Sequence, residues 1–376
     1  MKAPLTLLFA LLCASGLRAQ GLTFSLRNDL GFARRGETVE VSVPEGIDPS
    51  VCSLRDEAGE AVPFEAAGNG AIRFQASLEA ESERRYTLVE GTPLSPLKLT
   101  FAGVMDKEQR ADIAWENDRA AFRMYSQVLK RREASTGNGI DLWQKKKPEP
   151  VLQQMYSLPN YHEESEWGVD GYNVNGLRLG CGAINHVTEG ELLTHDPYDE
   201  CLIVEDGALR SEFVVTYNNV DVGGDLYTKT VRITTTAGSL LNKAVVRYEG
   251  PSKTFRLALP IYRHTDLTGF DPQATAYTST PGLAGWAELP SEGVIKSEDA
   301  RFYEGAYLPS CETEAEVISD YLCLCVDYTA GTDLVYYFGG GWSVFPEGEY
   351  QEDEDWFEAL ERFRQTVETP IKVIEQ

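Results

Sequence analysis

The stretch Leu226-Tyr227-Thr228-Lys229-Thr230-Val231-Arg232-Ile233-Thr234 decides the fold. It is rich in β-branched and aromatic residues and reads as one long, regular strand. Similar stretches lie on either side: Val214 to Tyr217, Asn242 to Tyr248, Thr254 to Leu259, Cys323 to Tyr328 and Leu334 to Phe338. Strands this long favour a large antiparallel sandwich. A propeller would show a 40–50-residue repeat, and none is visible. Gly339-Gly340-Gly341 follows one of these strands without opening a helix, so it reads as a turn beside Trp342.

Moving toward the C-terminus, Glu354 to Glu368 changes period. Trp356, Phe357, Leu360, Phe363 and Val367 form a helical apolar stripe. Asp353 or Asp355 can cap it, and Pro370 stops it. The acidic residues ahead of it, Glu347 to Glu354, read as a solvated lead-in. Toward the N-terminus, Thr38 to Val43, Ile72 to Ala76 and Arg85 to Val89 are shorter strands punctuated by glycines. They predict a small β-sandwich over residues 20–92, with Gly91 to Pro96 as linker. The expectation is an all-β chain. A small N-terminal β-sandwich precedes a large antiparallel domain, residues 97–376, which ends in a helix.

Residues 1–19 read differently. Lys2, the apolar run Leu5 to Ala14 and the small residues before Gln20 form a secretory signal peptide, with cleavage after Ala19. The run is too short to span a bilayer. The expected location is periplasmic or secreted. Six cysteines follow the leader: Cys52, Cys181, Cys201, Cys311, Cys323 and Cys325. Six in a domain of this size do not make a disulfide scaffold, and buried free thiols are expected. No zinc-ligand spacing is present.

The 376 residues carry 59 acidic against 34 basic side chains, a net charge of −25. That charge argues against nucleic acid or an anionic membrane surface as partner, no later segment is long and apolar enough for membrane insertion, and any anionic ligand must be met by local arginines or lysines. No Gly-x-Ser-x-Gly elbow, phosphate-binding loop or His-Glu-x-x-His is found.

The candidate chemistry lies between Trp115 and His264. Arg119 and Arg123 alternate on one strand, about 7 Å apart on one face, as a clamp for a carboxylate or sulfate. Trp143 and Trp167 are candidate sugar platforms. Lys145-Lys146-Lys147 is the one dense basic run, able to attract an anion. Tyr161-His162-Glu163-Glu164 and Trp167 to Gly176 hold the densest cluster. There His162, with Tyr161 or Tyr172, can serve as base and acid beside a uronic carboxylate. Asp170 and Glu212 are the pair to test for glycoside hydrolysis. Arg210, beside Glu212, is a further binding candidate. His264 ends an apolar segment, a common place for a site residue at a sheet rim. His186 and His195 have no particular context. No cofactor is expected, with a divalent metal as the open alternative.

Taken together, Trp115 to Arg123, Gly139 to Trp143, Tyr161-His162, Gly168 to Tyr172, the Trp356 helix and Pro370 to Val373 resemble a family of secreted Bacteroidetes proteins of unknown function. Such proteins tend to be encoded beside pectin- and uronate-degrading enzymes. The main domain is similar to the β-supersandwich of galactose mutarotases and several polysaccharide lyases. The resemblance implies an enzyme cleaving acidic, uronate-containing oligosaccharides. A non-catalytic glycan-binding protein and a mutarotase-type epimerase are the alternatives. Mutarotases use a His and Glu pair with an Arg, for which His162, His264, Glu212 and Arg123 are on offer.

Overall fold

The computed structural model describes residues 21–68, 70–172, 174, 177–266, 269–270, 273–290 and 295–375. The leader 1–19 and its expected cleavage site lie outside them, as do Asn173, Asn175 and Gly176. The chain is mostly β, 49% strand against 8% helix.

Two small sheets face each other at the N-terminus. One contains Leu22–Arg27, Glu83–Glu90, Cys52–Asp56 and Ala61–Val62; the other Arg34–Ser42, Ala71–Leu78 and Glu65–Ala67. Phe24, Phe74 and Tyr86 fill the space between them, with ring centroids 5.0 to 6.1 Å apart. The last strand of the chain, Lys372–Glu375, also joins this sheet. It runs antiparallel to the first strand, with Phe24 opposite Glu375 and Arg27 opposite Lys372. The C-terminus thus crosses the expected boundary between a 20–92 module and a 97–376 domain.

The large domain is built on an eight-stranded antiparallel sheet. In spatial order its strands are Glu200–Asp206, Arg210–Val222, Asp225–Thr236, Asn242–Glu249, Leu334–Trp342, Phe302–Tyr307, Leu283–Glu288 and Thr275–Tyr277. Two five-stranded sheets share its core. One is centred on Ala120–Met124 and the other on Thr254–Tyr262. Core residues such as Phe122, Ile261 and Phe338 come from all three.

The helix, Asp353–Glu368, starts one residue earlier than the apolar stripe suggests. Glu352 caps it, and Asp355 returns the bond to the Glu352 backbone. Its buried face carries Trp356, Phe357, Leu360 and Phe363. That face lies on the outer side of Leu283–Glu288 and Phe302–Tyr307. A methyl group on Gly305 would stand 2.4 Å from Leu360 Cδ2, so the glycine sets how closely the helix approaches.

Gly339-Gly340-Gly341 is not a turn. It continues the strand Leu334–Trp342. A Cβ on Gly340 would come 2.4 Å from both Leu142 Cδ2 and the Tyr303 carbonyl oxygen. The glycines are there because two layers meet across them, not because the chain reverses. The six described cysteines are all unpaired thiols. No described helix is long and apolar enough to cross a membrane.

Candidate functional site

Two polar centres stand inside the large domain, joined by the short segment Gly168 to Tyr172. The first is built around Arg123. The strands Ala120–Met124 and Ile140–Lys145 pair so that Arg123 lies opposite Asp141. The guanidinium donates to Asp141 and, at 3.0 Å, to Asp170 Oδ2. The rings of Trp143, Tyr125 and Tyr161 surround it at 4.8, 5.1 and 5.6 Å. His162 borders this group. Its Nδ1 faces two acceptors, the Asp170 carbonyl at 3.2 Å and Oδ2 at 3.4 Å. Nδ1 therefore carries the proton in the neutral ring, and Nε2 becomes the basic atom. The imidazole side chain is 43% exposed, while Asp170 behind it is buried. An oriented, solvent-reachable imidazole is a workable general base.

The second centre is built around His264. The paired strands Leu283–Glu288 and Phe302–Tyr307 set Trp286 opposite Glu304 and Glu288 opposite Phe302. Side chains alternate across a strand, so Trp286, Glu288 and Glu304 share the inner face. The two acids are diagonal neighbours, with Cα atoms about 7–8 Å apart. Glu288 receives the His264 backbone N–H at 3.2 Å, the His264 ring N–H, and the Trp286 indole N–H at 2.6 Å. Glu304 is fully buried, and neither carboxyl oxygen has a hydrogen-bond partner among the described residues. Burial, then the nearby Glu288, pushes its pKa well above the ordinary range, so the proton stays on. Tyr172 and Tyr262 meet the His264 ring edge-on at 4.7 and 4.6 Å. Arg178 lies over the Tyr262 ring at 5.0 Å. Among the described residues it makes no ion pair.

The sequence-derived site residues divide among several places. Arg123, Trp143, Tyr161, His162 and Asp170 meet at the first centre, and Tyr172 and His264 at the second. Trp143 is wholly buried, with Tyr156 and Tyr161 stacked on it at 5.1 and 5.0 Å and the Arg123 guanidinium 4.8 Å from its ring, which leaves no face for a sugar. The Trp167 ring is covered by Lys147, whose Nζ sits 3.9 Å from its centroid. Arg119 does not join Arg123. It bonds Glu349 at 2.6 Å and the Tyr350 hydroxyl at 3.0 Å. It lines a cleft of about 580 Å³ between the N-terminal module and the helix. Glu212 is held by Arg210, Arg232 and Thr234, whereas Asp170 is held by Arg123 of another sheet. The expected Asp170 and Glu212 pair is therefore not assembled. Arg210 also reaches Glu40 of the small module, across the contact between that module and the large domain. The basic run does not attract anions as a unit, because Lys145 is buried against Glu116 at 2.7 Å.

Glu288, Glu304, Trp286 and Arg178 were not legible as site residues. One signal was present: a single acid in each of two otherwise apolar strands, Leu283–Glu288 and Phe302–Tyr307. His186 and His195 lie near the buried Lys229, a third polar group that no motif announced. Among the described residues no cluster of acids, histidines and cysteines has metal-binding geometry.

Residues 26–373 match the family model described as a domain of unknown function, DUF4861. An uncharacterised protein, P7, of Formosa agariphila is 22% identical over 382 residues, spanning 93% of this chain and 92% of its own. A glycosyl hydrolase family 38 protein from Enterococcus faecalis has a similar fold, with a TM-score of 0.52 at 10% identity. An alpha-mannosidase from Enterococcus faecalis V583 follows at 0.50 and 10%. Each covers 95% of this chain, but this chain spans only about half of theirs, 47% and 46%. At that identity the likeness is one of fold.

Proposed function

The chain belongs to the DUF4861 family, and we propose that it is a carbohydrate-active enzyme cleaving uronic-acid-containing, pectin-like oligosaccharides. We place the chemistry at the His264 centre and the protein in the periplasm or outside the cell. One observation carries the reading. Two carboxyl side chains share the inner face of neighbouring strands, one held by three donors and the other kept protonated. Environments that separate two carboxyl groups in this way define an acid and a base. Glu304 gives its proton to the leaving oxygen. Glu288, with His264, takes a proton from the attacking water. Water is consumed and one glycosidic bond is exchanged for two hydroxyl-bearing ends. Arg178, which makes no ion pair among the described residues, meets the substrate carboxylate.

A second reading, elimination, is favoured by His162. Its oriented and half-exposed ring suits removal of a proton beside a uronic carboxylate. The test is product analysis. Purified protein is incubated with pectic, rhamnogalacturonan, ulvan and glucuronoxylan oligosaccharides, and mass and ultraviolet absorbance are followed. Shorter products without the absorbance of an unsaturated uronate support hydrolysis. Shorter products with it transfer the chemistry to His162. Ligand retardation without products leaves a glycan-binding protein and defeats the proposal. For the hydrolase, Glu304→Gln lowers kcat by about 10²–10⁴-fold while His162→Ala retains activity.

A further inference from the structure

We propose that Glu164 is a positioning residue for the His264 centre, acting through the loop that joins its two acid-bearing strands. The inference rests on the reading of that centre as the reactive one. Residues 295–301 lead into the second of these strands, which carries Phe302 and Glu304. Glu164, two residues after His162 and 2% exposed, grips this segment. Its carboxylate receives the backbone N–H of Lys296, the backbone N–H of Ser297 at 2.9 Å and the Ser297 hydroxyl at 2.7 Å. Lys146 adds its ammonium to the same carboxylate. The Lys296 ammonium closes the clasp on the Glu164 carbonyl at 2.8 Å. Burial works against the charge on Glu164, but these donors outweigh it and hold the pKa down at about 2. Glu164 is therefore ionised at neutral pH.

The grip has a visible consequence. Ile295, next to the held residues, packs against Val169, Phe302 and Trp342. Phe302 is the register partner of Glu288, and Val169 directly precedes Asp170. Glu164 thus seats an apolar side chain on the residues that flank the acids of both centres. Burial is the main reason Glu304 keeps its proton, so a plug that keeps water out preserves that state.

The experiment uses the intact protein and two variants, Glu164→Gln and Ile295→Ala, alone and combined. Amide exchange at Lys296 and Ser297 is read by mass spectrometry. Turnover is read per folded molecule on the oligosaccharide that the wild type cleaves. We expect faster exchange in Glu164→Gln, with kcat down about 10²-fold at nearly unchanged KM. The double variant should lose little more than either single one, because both act through one plug. A purely structural role would lower the folded fraction and leave kcat per folded molecule intact. Unchanged exchange, unchanged kcat or additive losses overturn the inference while the reading of the centre survives. A wild type inactive on every oligosaccharide removes both.

Discussion

Lys145 and Lys229 are both buried on strands, yet among the described residues only Lys145 has an acid beside it. Lys145 pairs with Glu116, whose carboxylate also caps the backbone N–H groups of Val151 and Leu152. Removing that lysine leaves a buried carboxylate without its counter-charge. Lys145→Met should cost about 3–5 kcal/mol, read as a lower urea midpoint at neutral pH. Lys229 is met instead by neutral groups: the Ile184 carbonyl at 2.6 Å, Asn185 Oδ1 at 2.7 Å and His195 Nε2 at 3.1 Å. Burial without a carboxylate pushes its pKa down to about 7. Burial first, then the Lys229 charge, lowers His186 to about 4. The folded state thus takes up this proton later than the unfolded chain does. The contribution is complete above the ordinary histidine range and is lost as pH falls from about 6.5 toward 4. It amounts to about 3 kcal/mol. Neither His186 ring nitrogen has a hydrogen-bond partner among the described residues, so His186→Phe removes none of their bonds. That variant should match the wild type at pH 7 and lose less stability in acid. Parallel loss in both proteins, measured by urea unfolding across the window, would exclude this role.

At the scale of elements, the acid-bearing strands explain what was legible and what was not. Leu283–Glu288 and Phe302–Tyr307 are buried on both faces, one against the helix and one against the central core. Without an exposed face there is no polar alternation, so an inward Glu304 looks like any acid in a short strand. The strand Asp225–Thr236 has one face more open, and its length and regularity could be read directly. The helix was equally plain, because only one side of it is covered. His162 and Asp170 were found because they cluster in sequence, and Arg123 because it alternates with Arg119 along a strand. Glu212 was misplaced because proximity in composition says nothing about which sheet a residue joins. The triple glycine was misread for a related reason. Close approach of two layers leaves the same local signature as a turn. Gly340→Ala forces a methyl group into Leu142 and the Tyr303 carbonyl. It should destabilise by about 1–3 kcal/mol, seen as a lower thermal midpoint. A neutral result would show that the layers can separate freely there.

The whole molecule is held by a seam and a clasp. At the seam, Arg73 is 4% exposed and binds Glu40 of its own module and Glu205 of the large domain. Glu65 receives the backbone N–H groups of Ala208 and Leu209, and Thr38 donates to the Ala237 carbonyl at 2.7 Å. The clasp is the last strand lying on the first. Deleting residues 371–376 should open the edge of that sheet. Amides in Leu22–Arg27 should then exchange faster, while those in the eight-stranded sheet keep their protection. Uniform protection in both regions would show that the last strand adds nothing.

The clasp also makes the order of the chain partly arbitrary. Phe24 faces Glu375 across one antiparallel ladder, so a linker of about four to six residues would turn the two ends into an ordinary hairpin. New ends could be cut at Gly223-Gly224, an exposed two-residue turn between the strands Arg210–Val222 and Asp225–Thr236. Such a circularly permuted protein would keep every pairing except that one turn. It would let the small sandwich form from contiguous sequence, where the natural order must wait for its final residues to close it.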